Sequence, residues 1–252
     1  MSLVEFIQVD FSLAVGESRL DASVHVPAGA VTLTQILPAI QNLTSNIVES
    51  MVQIVTSEGR TVSCREGCGA CCRQLVPLSL FEAEALGDWM RALPGPVQQQ
   101  LQQRFHETLM ALSQHGLLER LDPDDWVEGS DRAKQLAIDY LAAKIACPFL
   151  VDECCGIHAI RPLACREHLV TSPPEFCANP TEESVEGVPM PLRPSTGLFR
   201  LGTLLEKGGV GWIPLVFLLA WMKSGSRPGE RISGLGPDVL HEFVKAFTST
   251  SA

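Results

Sequence analysis

The sequence has no hydrophobic run long enough to cross a bilayer. Its longest apolar stretch, Trp212 to Met222, falls well short of the roughly 20 residues a spanning helix needs and predicts a buried helix instead. Basic charge is scarce: 19 lysines and arginines stand against 29 aspartates and glutamates, for a formal net charge of −10. That balance argues against broad attraction to nucleic acid or anionic lipid. At the start, Met1-Ser2-Leu3-Val4-Glu5 shows no basic region followed by an apolar run, so no secretory leader is legible and a reduced, cytoplasmic setting is expected. Gly-rich phosphate loops, a Ser–His–Asp signature and an H-E-x-x-H helix are all missing, which leaves nucleotide hydrolysis and metalloprotease chemistry without a motif. Internal repeats, heptad arrays and low-complexity linkers are missing too.

Cysteine, by contrast, is plentiful. Nine cysteines in a 252-residue chain are more than packing requires, since a chain of this length can bury a full core without crosslinks. In a reducing compartment they point to metal ligation or redox chemistry, not to a disulfide framework. They fall into two groups: Cys64, Cys68, Cys71 and Cys72, and then Cys147, Cys154, Cys155, Cys165 and Cys177. Ligation by thiolates needs several sulfurs around one point, and the Cys68-Gly69-Ala70-Cys71 turn can aim two of them inward. Gly67 and Gly69 allow the backbone to bend closely there. One C-x-x-C pair suits a dithiol redox site equally well. Two distant groups are the stronger sign, because zinc and iron–sulfur sites commonly draw ligands from separate segments.

The residues between the groups predict helices. Val4 to Phe11 and Leu20 to Val26 alternate around a break at Gly16-Glu17-Ser18, the pattern of a β-hairpin. Apolar residues from Ile36 to Val55, Ile54 among them, recur at three- and four-residue steps, predicting a helix over Thr34 to Thr56. Ser79-Leu80-Phe81-Glu82 is a capping box for a helix that Pro94-Gly95-Pro96 stops. A surface helix follows over Val97 to Leu118, its glutamines forming a solvated face. Asp122 to Asp125 reads as a turn, and Ser130-Asp131 caps a helix through Ile145. Asn179 to Thr196 reads as an extended surface segment, followed by helices at Trp212 to Met222 and Pro237 to Phe247. The expected fold is mainly α, a compact helical domain around a cysteine-ligated metal site with a small N-terminal β-hairpin. Residues 1–60 would supply the hairpin and first helix, 61–180 the cysteine core, and 181–252 the extended segment and last helices.

The cysteine segments resemble the CxxCxxCC family, also called YkgJ-like cysteine-cluster proteins, a zinc- or iron-chelating domain. The resemblance is carried by Cys64-Arg65-Glu66-Gly67-Cys68-Gly69-Ala70-Cys71-Cys72, by Cys147-Pro148-Phe149-Leu150, and by Cys155-Gly156-Ile157 with Arg161-Pro162-Leu163-Ala164-Cys165-Arg166. It covers about residues 64 to 166. It implies that Cys64, Cys68, Cys71, Cys72, Cys147, Cys155 and Cys165 are the metal ligands. Two departures stand out: the first gap has three residues where the family has two, and His158 stands where the family has Tyr, either packing as that Tyr does or serving as a further ligand. Cys154 and Cys177 lie outside the family positions and are assigned auxiliary places.

Four thiolates on one zinc ion or on an oxidised four-iron cluster leave a net charge of about −2, which is costly to bury alone. Arg73, Arg161 and Arg166 stand where they could offset it by hydrogen bonding to sulfur. Lysine-methylating flagellin enzymes containing this module are associated with an iron–sulfur cluster, so the resemblance places an iron–sulfur cluster first and zinc second. The first function expected is that of a cytosolic iron–sulfur protein with a redox or enzyme-supporting role. The alternative is a structural zinc module whose surfaces bind a protein partner. Whether the chain is an enzyme is left open at this level.

Overall fold

Alternation at the N-terminus becomes two ten-residue strands, β1 (Phe6–Val15) and β2 (Ser18–Pro27), paired antiparallel from Phe6 opposite Pro27 onward. A computed structural model describes residues 4–15, 18–65, 67–122, 130–179, 184–206 and 209–249. The Gly16-Glu17 part of the expected break lies outside them. On the inner face Phe11, Leu13, Ala22, Val24 and Val26 are buried. On the outer face Ser12 donates to Asp21 (2.6 Å) and Ser23 to Asp10 (2.6 Å), pairing polar residues directly across the ladder.

β3 (Ala30–Thr32) leads through a 3-10 turn at Thr34–Ile36 into α1 (Leu37–Ser57). Seven of the apolar residues in the predicted stripe are buried, from Ile36 to Val55, while Ile54 faces out. The helix ends before Gly59, whose φ of 82° suits glycine. β4 (Pro77–Ser79) then runs into α2 (Leu80–Ala92). Ser79 and Glu82 form the expected reciprocal capping box. Pro94-Gly95-Pro96 ends α2, as expected, but it also opens α3 (Gly95–Gln114) in the same step, because proline is tolerated in a first turn that has no amide bond to lose. Gln98 is not part of a purely solvated face: its side-chain amide donates to the carbonyls of Arg91 (3.0 Å) and Leu93 (2.7 Å), closing the C-terminus of α2.

Ser130 caps α4 (Asp131–Ala142) by accepting from the Ala133 amide (3.2 Å). The helix stops short of the expected Ile145, and Lys144 turns the chain at a φ of 52°. Pro123 to Asp125 of the expected turn lie outside the described residues. β5 (Leu150–Val151) and β6 (Cys154–Cys155) make a short hairpin. Its two turn residues, Asp152 and Glu153, both have positive φ (49° and 60°), the backbone a two-residue hairpin turn demands. Two short helices follow, α5 (Leu163–Glu167) and α6 (Pro174–Ala178).

The C-terminal third departs most from expectation. α7 (Pro194–Leu205) begins inside the stretch read as extended and continues through Gly197 and Gly202. Those glycines look like helix breakers, yet each sits where a neighbour approaches closely. A Cβ on Gly197 would stand 3.1 Å from Phe243 and Phe247 side-chain atoms, and one on Gly202 would stand 2.6 Å from the Gly211 carbonyl oxygen. The segment read as one helix from Trp212 to Met222 instead divides into β7 (Trp212–Pro214), a 3-10 turn and the five-residue α8 (Leu218–Met222). β7 pairs with β4, so its backbone groups are satisfied across the pair, not along a helix. β8 (Ser233–Leu235) pairs with β3 and leads into α9 (Gly236–Thr248), the last predicted helix.

The hairpin, α1, α7 and α9 share one apolar cluster in which Ile40, Leu43, Leu198, Leu240 and Phe243 have no exposed surface. A second cluster joins α2 and α3 to Phe149, Ile157, Leu215 and Leu218, and Cys147 and Cys155 pack against it. Burying each large side chain of this kind contributes about 1.5–3 kcal/mol. The described residues are mainly helical with an N-terminal hairpin, and among them no helix is long and apolar enough to cross a membrane.

Candidate metal centre

The first cysteine segment is pinned at its start. Ser63 donates its amide to the Val170 carbonyl (2.9 Å) and its hydroxyl to the Thr171 carbonyl (3.1 Å), while the Val170 amide donates to Cys64 Sγ (3.4 Å). The chain then turns at Gly67, where φ is 78°, and coils into a 3-10 turn at Ala70–Arg73. That turn carries Cys71 and Cys72 side by side, and the Cys72 carbonyl accepts from the Cys147 amide (2.7 Å). This bond joins the first cysteine segment directly to the second.

A second tie runs through Arg73. Its guanidinium grips both carboxylate oxygens of Glu153 (2.6 and 2.9 Å) and donates to the Gly69 carbonyl (3.0 Å). A Cβ on Gly69 would lie 3.2 Å from the Glu153 carbonyl oxygen and crowd the ends of the Glu153 and Leu150 side chains, so glycine eases the close approach of the two segments. Glu153 sits at the tip of the β5–β6 hairpin, which places Cys155 opposite Leu150 and leaves Cys154 exposed.

Cys165 is delivered by α5. The helix is anchored at its first residue, where the Leu163 amide donates to Glu82 Oε1 (2.7 Å). Glu82 is buried and also accepts from the Ser79 amide and hydroxyl. Burial pushes its carboxyl above the ordinary range, against the pull of these three hydrogen bonds. Arg166 braces the same loop, donating to the carbonyls of Arg161 (3.2 Å) and Ala159 and to Ser45 of α1 (3.4 Å).

The expected arginines therefore take different places. Arg73 is turned to Glu153 and Arg166 to backbone carbonyls. Arg161 meets His158 through one terminal nitrogen (2.7 Å), while its Nε is buried with no hydrogen-bond partner among the described residues. Its charge favours the thiolate at both Cys64 and Cys71. His158 is exposed, so it does not pack as a tyrosine at this position would.

The thiols stand within electrostatic reach of one another. Cys64 feels Cys71 and Cys68; Cys72 feels Cys71, Cys147 and Cys155; Cys165 feels Cys147, Cys71 and Cys155. Burial pushes the Cys64 thiol up, Cys147 to about 12 and Cys165 well above the usual thiol range. Cys71 moves the other way because the Cys72 thiol donates to it. All seven residues expected as ligands thus lie in one region. Among the described residues, no three Cys, His, Asp or Glu side chains stand at ion-binding geometry.

Cys177, expected to be auxiliary, joins this region as well. It is 5% exposed on α6, and α6 packs on the Ala70–Arg73 turn. Burial first, and then the nearby Cys64, Cys71 and Cys68, raise its thiol to about 11. Pro174 opens the short helix that carries Cys177 to this region.

A soft cation or cluster fits these residues on two grounds. The donor set is thiolate-rich, which suits zinc and iron–sulfur chemistry, and the orphaned Arg161 Nε–H is a buried donor beside sulfurs whose charged form it would stabilise. Residues 63–182 match the model of the CxxCxxCC family, described as "Putative zinc- or iron-chelating domain". The match runs past Arg166 far enough to include Cys177. No curated protein and no solved structure matches the chain.

Proposed function

We propose that the chain is a cytoplasmic iron–sulfur protein whose cluster is held by thiolates chosen from Cys64, Cys68, Cys71, Cys72, Cys147, Cys155, Cys165 and Cys177. A bound cluster would supply one-electron redox chemistry or support an enzymatic step. The observation carrying this reading is the meeting of the two segments at Cys71-Cys72, fixed by the Cys147-to-Cys72 hydrogen bond. Eight thiols gather where one tetrahedral zinc would take four, and adjacent cysteines serve different irons more readily than one small ion. Arg161 would offset the negative charge of the thiolates by donating Nε–H toward sulfur. The remaining residues hold the frame: Arg73 with Glu153 closes the two segments, and Glu82 fixes the helix bearing Cys165.

Protein expressed with ample iron and purified without oxygen should be brown and should carry iron with acid-labile sulfide, because a thiolate-bound cluster absorbs visible light. Colourless protein with stoichiometric zinc and no sulfide would replace this reading with the zinc module.

A further inference from the structure

α7, α5 and β7 border an open cavity of about 870 Å³. Ligand sites commonly enclose about 300–1,000 Å³ and combine apolar walls with a few convergent polar groups. The apolar walls here include Phe199 and Trp212, whose rings lie 6.4 Å apart. At the rim Leu204 is 79% exposed, an isolated large apolar side chain beside an apolar hollow.

Two nitrogen groups face this space without a protein acceptor. His168 Nε2 is buried and has no hydrogen-bond partner among the described residues. A buried polar nitrogen left unpaired is costly, so a ligand group that pairs with it is favoured there, and in the Nε2–H tautomer it would donate to a carboxylate. Arg193 also lines the cavity, and its guanidinium makes no hydrogen bond or ion pair with the described residues. It stands close enough to His168 and Glu167 for its charge to act on both. The carboxyl of Glu167 is already engaged by the Ser195 amide (2.7 Å) and hydroxyl (2.6 Å). That leaves Arg193 and His168 as the free donors.

We infer that this cavity binds a small organic carboxylate with an apolar body, the carboxylate taken by Arg193 and His168 and the body lying against Phe199, Trp212 and Leu204. A guanidinium fork matches a planar carboxylate. Arg200 also lines the cavity, but it donates to the Ala246 (2.8 Å) and Ser249 (2.9 Å) carbonyls, and the apolar walls suit an organic body, for which inorganic phosphate has no use. The inference goes beyond metal binding and does not depend on which metal the thiolates hold.

The test uses the metal-loaded protein and three carboxylates, benzoate, 3-phenylpropionate and octanoate, each beside its neutral amide, with binding measured by calorimetry. At least one carboxylate should bind, and its amide should bind about tenfold more weakly or worse, since a charge-assisted pair is lost. Arg193→Gln should weaken the carboxylate by a similar factor while leaving the amide and the metal content unchanged. Leu204→Glu, at an exposed position that cannot disturb the fold, should weaken it through like-charge repulsion. The proposal is overturned if no carboxylate binds, if acid and amide bind equally, if Arg193→Gln has no effect or strips the metal, or if inorganic phosphate binds more tightly than every carboxylate.

Discussion

Cys71 and Cys72 are neighbours in the chain and opposites in chemistry. The hydrogen bond between them favours the thiolate at Cys71 and the thiol at Cys72, so the first is ready to meet a cation and the second must lose its proton to do so. Single replacements should separate ligands from bystanders. Cys68→Ser, Cys71→Ser and Cys165→Ser should each reduce metal affinity by at least about tenfold, the lower end of what even supporting residues cost at such sites, and should lower the melting temperature in step. Cys177→Ser should behave as they do, because the residue is buried against the same turn. The exposed Cys154 should tolerate serine with its metal retained. Metal analysis and thermal melts on the five variants check this, and full metal content in the first three would remove the proposed ligand set. Most of these residues were legible in the sequence because thiols at short spacing have few other uses. Cys177 was not, because α6 brings it against the Ala70–Arg73 turn only once the chain is folded.

At the scale of elements, the capping box of α2 shows how a local signal can hide a long-range duty. Ser79 and Glu82 are legible as a helix start from four residues. Nothing in those four residues says that Glu82 also takes the Leu163 amide of α5, 81 positions away. Glu82→Ala would leave buried amides of Ser79 and Leu163 without an acceptor, a loss of about 2–4 kcal/mol. Since α5 carries Cys165, metal affinity should fall with stability; chemical denaturation and metal titration of the variant measure the two effects. Destabilisation with unchanged metal affinity would show that α5 is placed by other means. α7 illustrates the opposite failure of legibility. Its Gly197 and Gly202 read as breaks because propensity counts only the helix itself, whereas both are required by what packs against them. Trp212 to Met222 misleads for a related reason: a short apolar run fits a buried strand or a buried helix equally, and only pairing with β4 decides it.

The whole molecule sets a thiol-rich region inside a frame of apolar clusters, with Cys147 and Cys155 resting on the cluster formed by α2, α3 and Phe149. Metal and fold should therefore be linked, each stabilising the other. The hairpin, the first helices and the membership of the cysteine segments follow from periodicity and spacing, since those signals are local. The junction between the segments depends on Arg73 with Glu153, Cys147 with Cys72 and the closeness allowed by Gly69, contacts that exist only once the chain is folded. The central claim is that cysteine sulfur surrounds the metal, and X-ray absorption at the metal edge of anaerobically purified protein tests it most directly. The account predicts an iron edge, a shell made of sulfur alone and a second iron as near neighbour; a first shell of nitrogen and oxygen, without sulfur, would contradict it.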